Sequence, residues 1–139
     1  MRNPKWHRDE IILTLELYYD LESGRMNSGS KEVVELSELL NKLPIHTIRP
    51  DAQRFRNPNG VALKLGNFKF FDPDYNGTGL KGGSKLDEEV FNEFYGNLSQ
   101  LRSIANNIKS AVNNKVIVDE LYEKSNDSER ESEFVKKVQ

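Results

Sequence analysis

Apolar residues recur along this chain at the spacing of helices, and no stretch shows a convincing strand alternation. Ile11, Leu15 and Tyr18 form a stripe at i, i+4 and i+7, which Ile12, Leu13, Leu17 and Leu21 widen. A first helix is expected over residues 6–21, buried on much of its surface, with Asp9 and Glu10 at its positive end. A Gly-, Ser- and Asn-rich loop follows. Ser30 is then expected to cap a second helix carrying Val33, Leu36, Leu40 and Leu43, which Pro44 stops. After a connector comes Asn57-Pro58, a cap residue followed by proline at the first helical position. From there Val61, Leu65 and Phe68 share one face, and Asn59, Leu63, Gly66 and Asn67 lie opposite. Gly60 and Gly66 each cost this third helix about 1 kcal/mol of intrinsic propensity.

Residues 72–84 hold four glycines and a proline without a regular period, as expected of a flexible polar connector. Two further helices are expected. One covers residues 86–95 and buries Leu86, Val90, Phe91 and Phe94. The other covers 97–112 and buries Leu101, Ile104, Ala105, Ile108 and Val112. Past Asn113-Asn114 a separate short helix over 116–122 is expected. Residues 125–139 are nearly all polar. The fold class that follows is all-α: a compact bundle of about five helices with a helix-turn-helix-like pair, and an acidic C-terminal tail that is disordered or helical. Residues 1–113 form the helical domain and 114–139 the tail.

Charge is nearly balanced, with 20 basic against 22 acidic residues, so the net value of −2 points to no partner by itself. Cysteine is absent, which removes disulfides and thiolate metal sites. No stretch approaches a membrane span, and the N-terminus lacks a signal-peptide core, so a cytoplasmic protein with no membrane partner is expected. The two histidines, His7 and His46, have no partner at i+3 or i+4 and read as surface or cap residues. Asp72/Asp74 and Glu88/Glu89 read as a loop turn and a helix start. Gly83-Ser84-Lys85 has the wrong order for a P-loop. No catalytic residue, metal site or cofactor is therefore expected.

The informative anomaly is local. Between residues 45 and 71 stand Arg49, Arg54, Arg56, Lys64 and Lys69 against the single acid Asp51, in a chain that is otherwise acidic. Such a cluster is the footprint of phosphate binding. Asn57, Asn59 and Asn67 are interleaved with it, and amides can read adenine edges. The expected DNA contacts are thus Arg49, Arg54, Arg56, Asn57, Asn59, Lys64, Asn67 and Lys69, with the cations on phosphates and Asn59 or Asn67 on bases. The second and third helices come in the order of a helix-turn-helix, though the connector between them is longer than the usual turn. A solvated charged face would produce the same pattern, with Asn57 only capping and Arg56 paired with an acid.

Four motifs add a resemblance. They are Trp6-His7-Arg8-Asp9-Glu10 running on to Tyr18, Val34-Glu35-Leu36-Ser37-Glu38-Leu39-Leu40, Phe55-Arg56-Asn57-Pro58-Asn59-Gly60-Val61, and Asp72-Pro73-Asp74-Tyr75-Asn76-Gly77-Thr78-Gly79-Leu80. In order and spacing, over roughly residues 5–112, they resemble the N-terminal head domain of McrA-like HNH restriction endonucleases. The resemblance implies an accessory domain of a bacterial restriction and phage-defence system. It would engage double-stranded DNA, modified or not, beside a separate HNH nuclease subunit. The His/Asn/His nuclease site of that family has no counterpart here, so its cleavage chemistry is not carried over. Two alternatives stand beside this reading: a docking or dimerisation domain of a nuclease system, and a small helix-turn-helix transcription regulator.

Overall fold

The computed structural model describes residues 2–124, with side chains through residue 114. Every regular element among the described residues is helical. The order is α1 (Arg8–Asp20), a single 3-10 turn (Ser23–Arg25), α2 (Lys31–Lys42), α3 (Pro58–Phe71), α4 (Lys85–Phe94) and α5 (Leu98–Lys124). Two compact units are distinguished, Met1–Ala105 and Asn106–Gln139. The first contains α1–α4 and the opening of α5.

Within that unit α1 and α3 are the central pair. Each packs against the other, and both also meet α2 and α4. The wide apolar stripe of α1 explains its position: Ile11, Ile12, Leu13 and Leu15 are all essentially inaccessible, and so are Glu10 and Thr14. A helix buried on most sides must satisfy its own polar groups. Thr14 Oγ1 does so by donating to the Glu10 carbonyl at 2.9 Å. α3 contributes Val61, Leu65 and Phe68, the stripe read from the sequence. Phe68 and Phe91 stack with centroids 6.3 Å apart, and Tyr18 meets both edge-on.

Helix starts follow their capping residues. Asn57 Oδ1 accepts the Gly60 N–H at 2.8 Å, with Pro58 at the first position of α3. Ser84 and Asp87 form a reciprocal capping box on α4. His7 caps α1 through Nδ1, and Glu10 closes that box by accepting the His7 N–H at 2.8 Å. Ser30 precedes α2 without capping it, because its hydroxyl donates to the Arg25 carbonyl instead.

Two expectations are corrected. The break at Asn113-Asn114 does not occur: α5 continues to Lys124, because asparagine lowers helix propensity only mildly and no proline or glycine interrupts the run. The tail over residues 125–139 lies outside the described residues. Residues 79–83 are also not a loose connector. Leu80 donates its N–H to the Gly66 carbonyl at 2.9 Å, and Asn67 Nδ2 donates to the Leu80 carbonyl at 2.8 Å. This strap lies directly on α3. A Cβ on Gly79 would sit 2.0 Å from the Phe70 nitrogen, so only glycine permits the approach.

Candidate nucleic-acid interface

The segment singled out by its charge divides into groups with different surroundings. Arg56 lies in a buried polar cluster with Glu10 and the N-terminal segment. Its backbone takes the left-handed conformation (φ 47°), and its side chain is 5% exposed. Nε donates to Glu10 Oε2 at 2.6 Å, and the terminal NH2 group reaches Glu10 Oε1, the Pro4 carbonyl and the Lys5 carbonyl. His46 Nε2 meets the same Glu10 carboxylate at 2.8 Å. Burial pushes the Glu10 carboxyl up, but the hydrogen bonds from Arg56, the His7 N–H and His46, together with the Arg56 charge, outweigh it and hold the group below its usual range. Ser37 of α2 donates to the Arg56 carbonyl at 2.7 Å and fixes the bend from the other side. The structure thus reassigns Arg56 from a phosphate contact to a buried counter-ion, because its guanidinium is turned into the core and paired there with Glu10 of α1.

Arg49 is half-buried and also turned inward. It donates to the Asn41, Leu43 and His46 carbonyls, closing the C-terminal end of α2, and lies over the Phe55 ring at 4.1 Å. Lys64 pairs with the buried Asp87 carboxylate at 2.7 Å, and only 11% of its side chain is accessible. Asn57 caps α3. Asn67 was expected on the outer face but is buried, because the strap covers it and takes its amide. Lys69 is partly covered, over the Tyr75 ring at 5.1 Å.

Two members of the set remain fully outward. The Arg54 side chain is 81% exposed, with Asp51 at 3.6 Å, and Asn59 is exposed in the first turn of α3. They flank the capped start of the helix. Leu63, half-exposed one turn further on, continues the same face. The strap then closes that face at Gly66 and Asn67.

A second basic grouping draws on residues outside the charged segment. Lys5, Trp6, Lys64, Ser84, Lys85 and Leu86 line an open cavity of about 440 Å³. Lys64 Nζ lies 4.9 Å from the centre of the Trp6 ring, and Arg56 Cζ lies 4.7 Å from it. The N-terminal strand of chain carrying Lys5 and Trp6 is held there by the Arg56 bonds to Pro4 and Lys5, and by reciprocal bonds between Asn3 and the Asp51 backbone. Beside the cavity, Asp87 Oδ1 is buried and has no hydrogen-bond partner. No protein-family model, curated protein or solved structure matches this chain.

Sequence reasoning named neither Glu10 nor Asp87 as a partner for a cation, nor Lys5, Trp6 and Lys85 as neighbours of Lys64. The two acids carried a local signal, since each sits three residues after a cap residue (His7 and Ser84). Their long-range pairing with Arg56 and Lys64 did not. Among the described residues no group of His, Asp and Glu is arranged to hold a metal ion, and no helix is long and apolar enough to cross a membrane.

Proposed function

We propose that this chain is a DNA-engaging accessory domain of an HNH-type restriction system, meeting the duplex with the N-terminal end of α3 and contributing no catalytic group. The observation that carries the reading is the outward pair Arg54 and Asn59 on either side of the Asn57-capped helix start. A recognition helix meets base edges with its N-terminal residues, and the preceding helix, here α2, packs against it. The positive end of α3 adds to the attraction for a phosphate. The strap over Gly66 and Asn67 limits the available face to the first two turns. On this reading Arg54 takes a phosphate and Asn59 a base edge, with Lys69 at the far rim. The motif resemblance to McrA-like head domains supports the same role. Duplex binding at low salt that weakens in Arg54→Ala and Asn59→Ala tests it.

A docking role is the second reading. Leu63 and Phe70 stand seven residues apart on α3, 50% and 46% exposed, and Leu80 of the strap is 43% exposed. An apolar row of this kind suits a protein partner such as a nuclease subunit. Replacing Leu63 and Phe70 by serine would abolish association on that reading and leave DNA affinity intact.

A further inference from the structure

We infer that the cavity between Lys5, Trp6 and the start of α4 is a binding site for a nucleoside monophosphate unit. This site is separate from the α3 edge proposed above and does not depend on it. Three lysines reach the cavity from three parts of the chain: Lys5 from the N-terminal segment, Lys64 from α3 and Lys85 from α4. Asp87 balances Lys64, taking one of the three donors of its ammonium. Lys5 and Lys85 form no ion pair among the described residues and are exposed. The cavity rim therefore carries about two uncompensated positive charges, close to the charge of one phosphate monoester.

The floor supplies donors as well. In the first turn of α4 the Asp87 N–H is taken by Ser84 Oγ and the Glu88 N–H by the Ser84 carbonyl. The Lys85 and Leu86 N–H groups, both on cavity-lining residues, are left for an outside acceptor. The remaining wall is apolar: the Trp6 indole, Leu86 and the lysine stems. An anion-binding end beside an aromatic wall, in a volume of about 440 Å³, matches a phosphate joined to a base better than an inorganic ion alone. The unit is either a free mononucleotide or the phosphorylated end of a DNA strand, which share this chemistry.

Trp6 is the only tryptophan in the chain, so its fluorescence reports this site alone. The experiment titrates the whole protein with a nucleoside 5′-monophosphate, the parent nucleoside and inorganic phosphate. Saturable quenching by the monophosphate is expected, at least tenfold stronger than with either fragment. Lys5→Ala/Lys85→Ala should weaken it tenfold or more, and Lys5→Arg/Lys85→Arg should retain it, with unchanged circular dichroism in both. An equal response to the nucleoside, no saturable response to the monophosphate, or quenching indifferent to both lysines overturns the inference. A 5′-phosphorylated oligonucleotide that quenches through the same lysines, beside an unphosphorylated one that does not, assigns the unit to a DNA end. A response confined to mononucleotides assigns it to free nucleotide. Absence of duplex binding by the parent with this quenching intact overturns the α3 reading alone, and duplex binding without saturable quenching overturns this inference alone.

Discussion

The Arg56 guanidinium and the Glu10 carboxylate meet at 2.6 Å with both side chains withdrawn from solvent, 46 positions apart in sequence. This contact joins the N-terminal end of α1 to the entry of α3. Through the Pro4 and Lys5 carbonyls it also holds the N-terminal segment in place. Removing one partner of a buried pair leaves an uncompensated charge, which costs roughly 3–5 kcal/mol. Arg56→Ala is expected to lose stability of that order in urea denaturation, whereas Arg54→Ala should stay within about 0.5 kcal/mol of the parent.

The same carboxylate sets a response to acid. Glu10 is held below its ordinary value in the folded protein, so its contribution to stability is present above the unfolded carboxylate value. It is lost as pH falls through the lower folded one. Melting temperature followed from neutral pH into the acid range should fall below the ordinary value of 4.5. In Glu10→Gln the part of that fall due to Glu10 should be absent. An acid profile identical in the two proteins would contradict this assignment.

Tyr18 governs the alkaline side. Its hydroxyl donates to Asp72 Oδ2 at 2.6 Å, and burial, that hydrogen bond and the Asp72 charge all oppose its ionisation. Burial and Asp72 also push its neighbour Tyr19 up to about 12. Raised values mean that the folded state resists deprotonation. The stabilisation is complete below the ordinary tyrosine value of 10.0 and disappears as pH rises through the folded ones. Tyr18→Phe should cost about 1 kcal/mol at neutral pH from the lost hydrogen bond and should flatten the alkaline decline.

The strap on α3 depends on Gly79. Alanine there would place a methyl group against the Phe70 backbone, and overpacking of this kind costs about 1–3 kcal/mol. Hydrogen exchange should then quicken at the Leu80 N–H, which bonds to Gly66 in the parent. Gly82→Ala tests the complementary case: it meets no neighbouring atom but must adopt φ 110°, so its penalty is conformational.

How much of this was legible follows from the range of each interaction. The stripes of α1 and α3 and the Asn57-Pro58 start are encoded within a few residues, and each lies where the sequence put it; the Ser84–Asp87 box is equally local but starts α4 one residue before the expected 86. The strap was hidden because Gly79, Leu80 and Gly83 look like punctuation until the packing surface of α3 is known. The charge anomaly was visible as a count. Its neutralisation by Glu10 and Asp87 was not, since pairing across 46 and 23 positions depends on the tertiary fold. The eight polar residues named from the sequence therefore separate into inward-facing ones led by Arg56, Arg49, Lys64 and Asn67, and the outward Arg54 and Asn59.

The proposed DNA contact rests on those two outward residues. Fluorescence anisotropy of a labelled DNA duplex, titrated with the parent protein and with Arg54→Ala/Asn59→Ala over a range of salt concentrations, tests it most directly. Binding is expected at low salt and weakens linearly in log–log form as salt rises, with affinity lost in the double variant and the salt slope reduced by about 1. Absence of binding by the parent at low salt, or equal affinity and slope in the folded double variant, would contradict it.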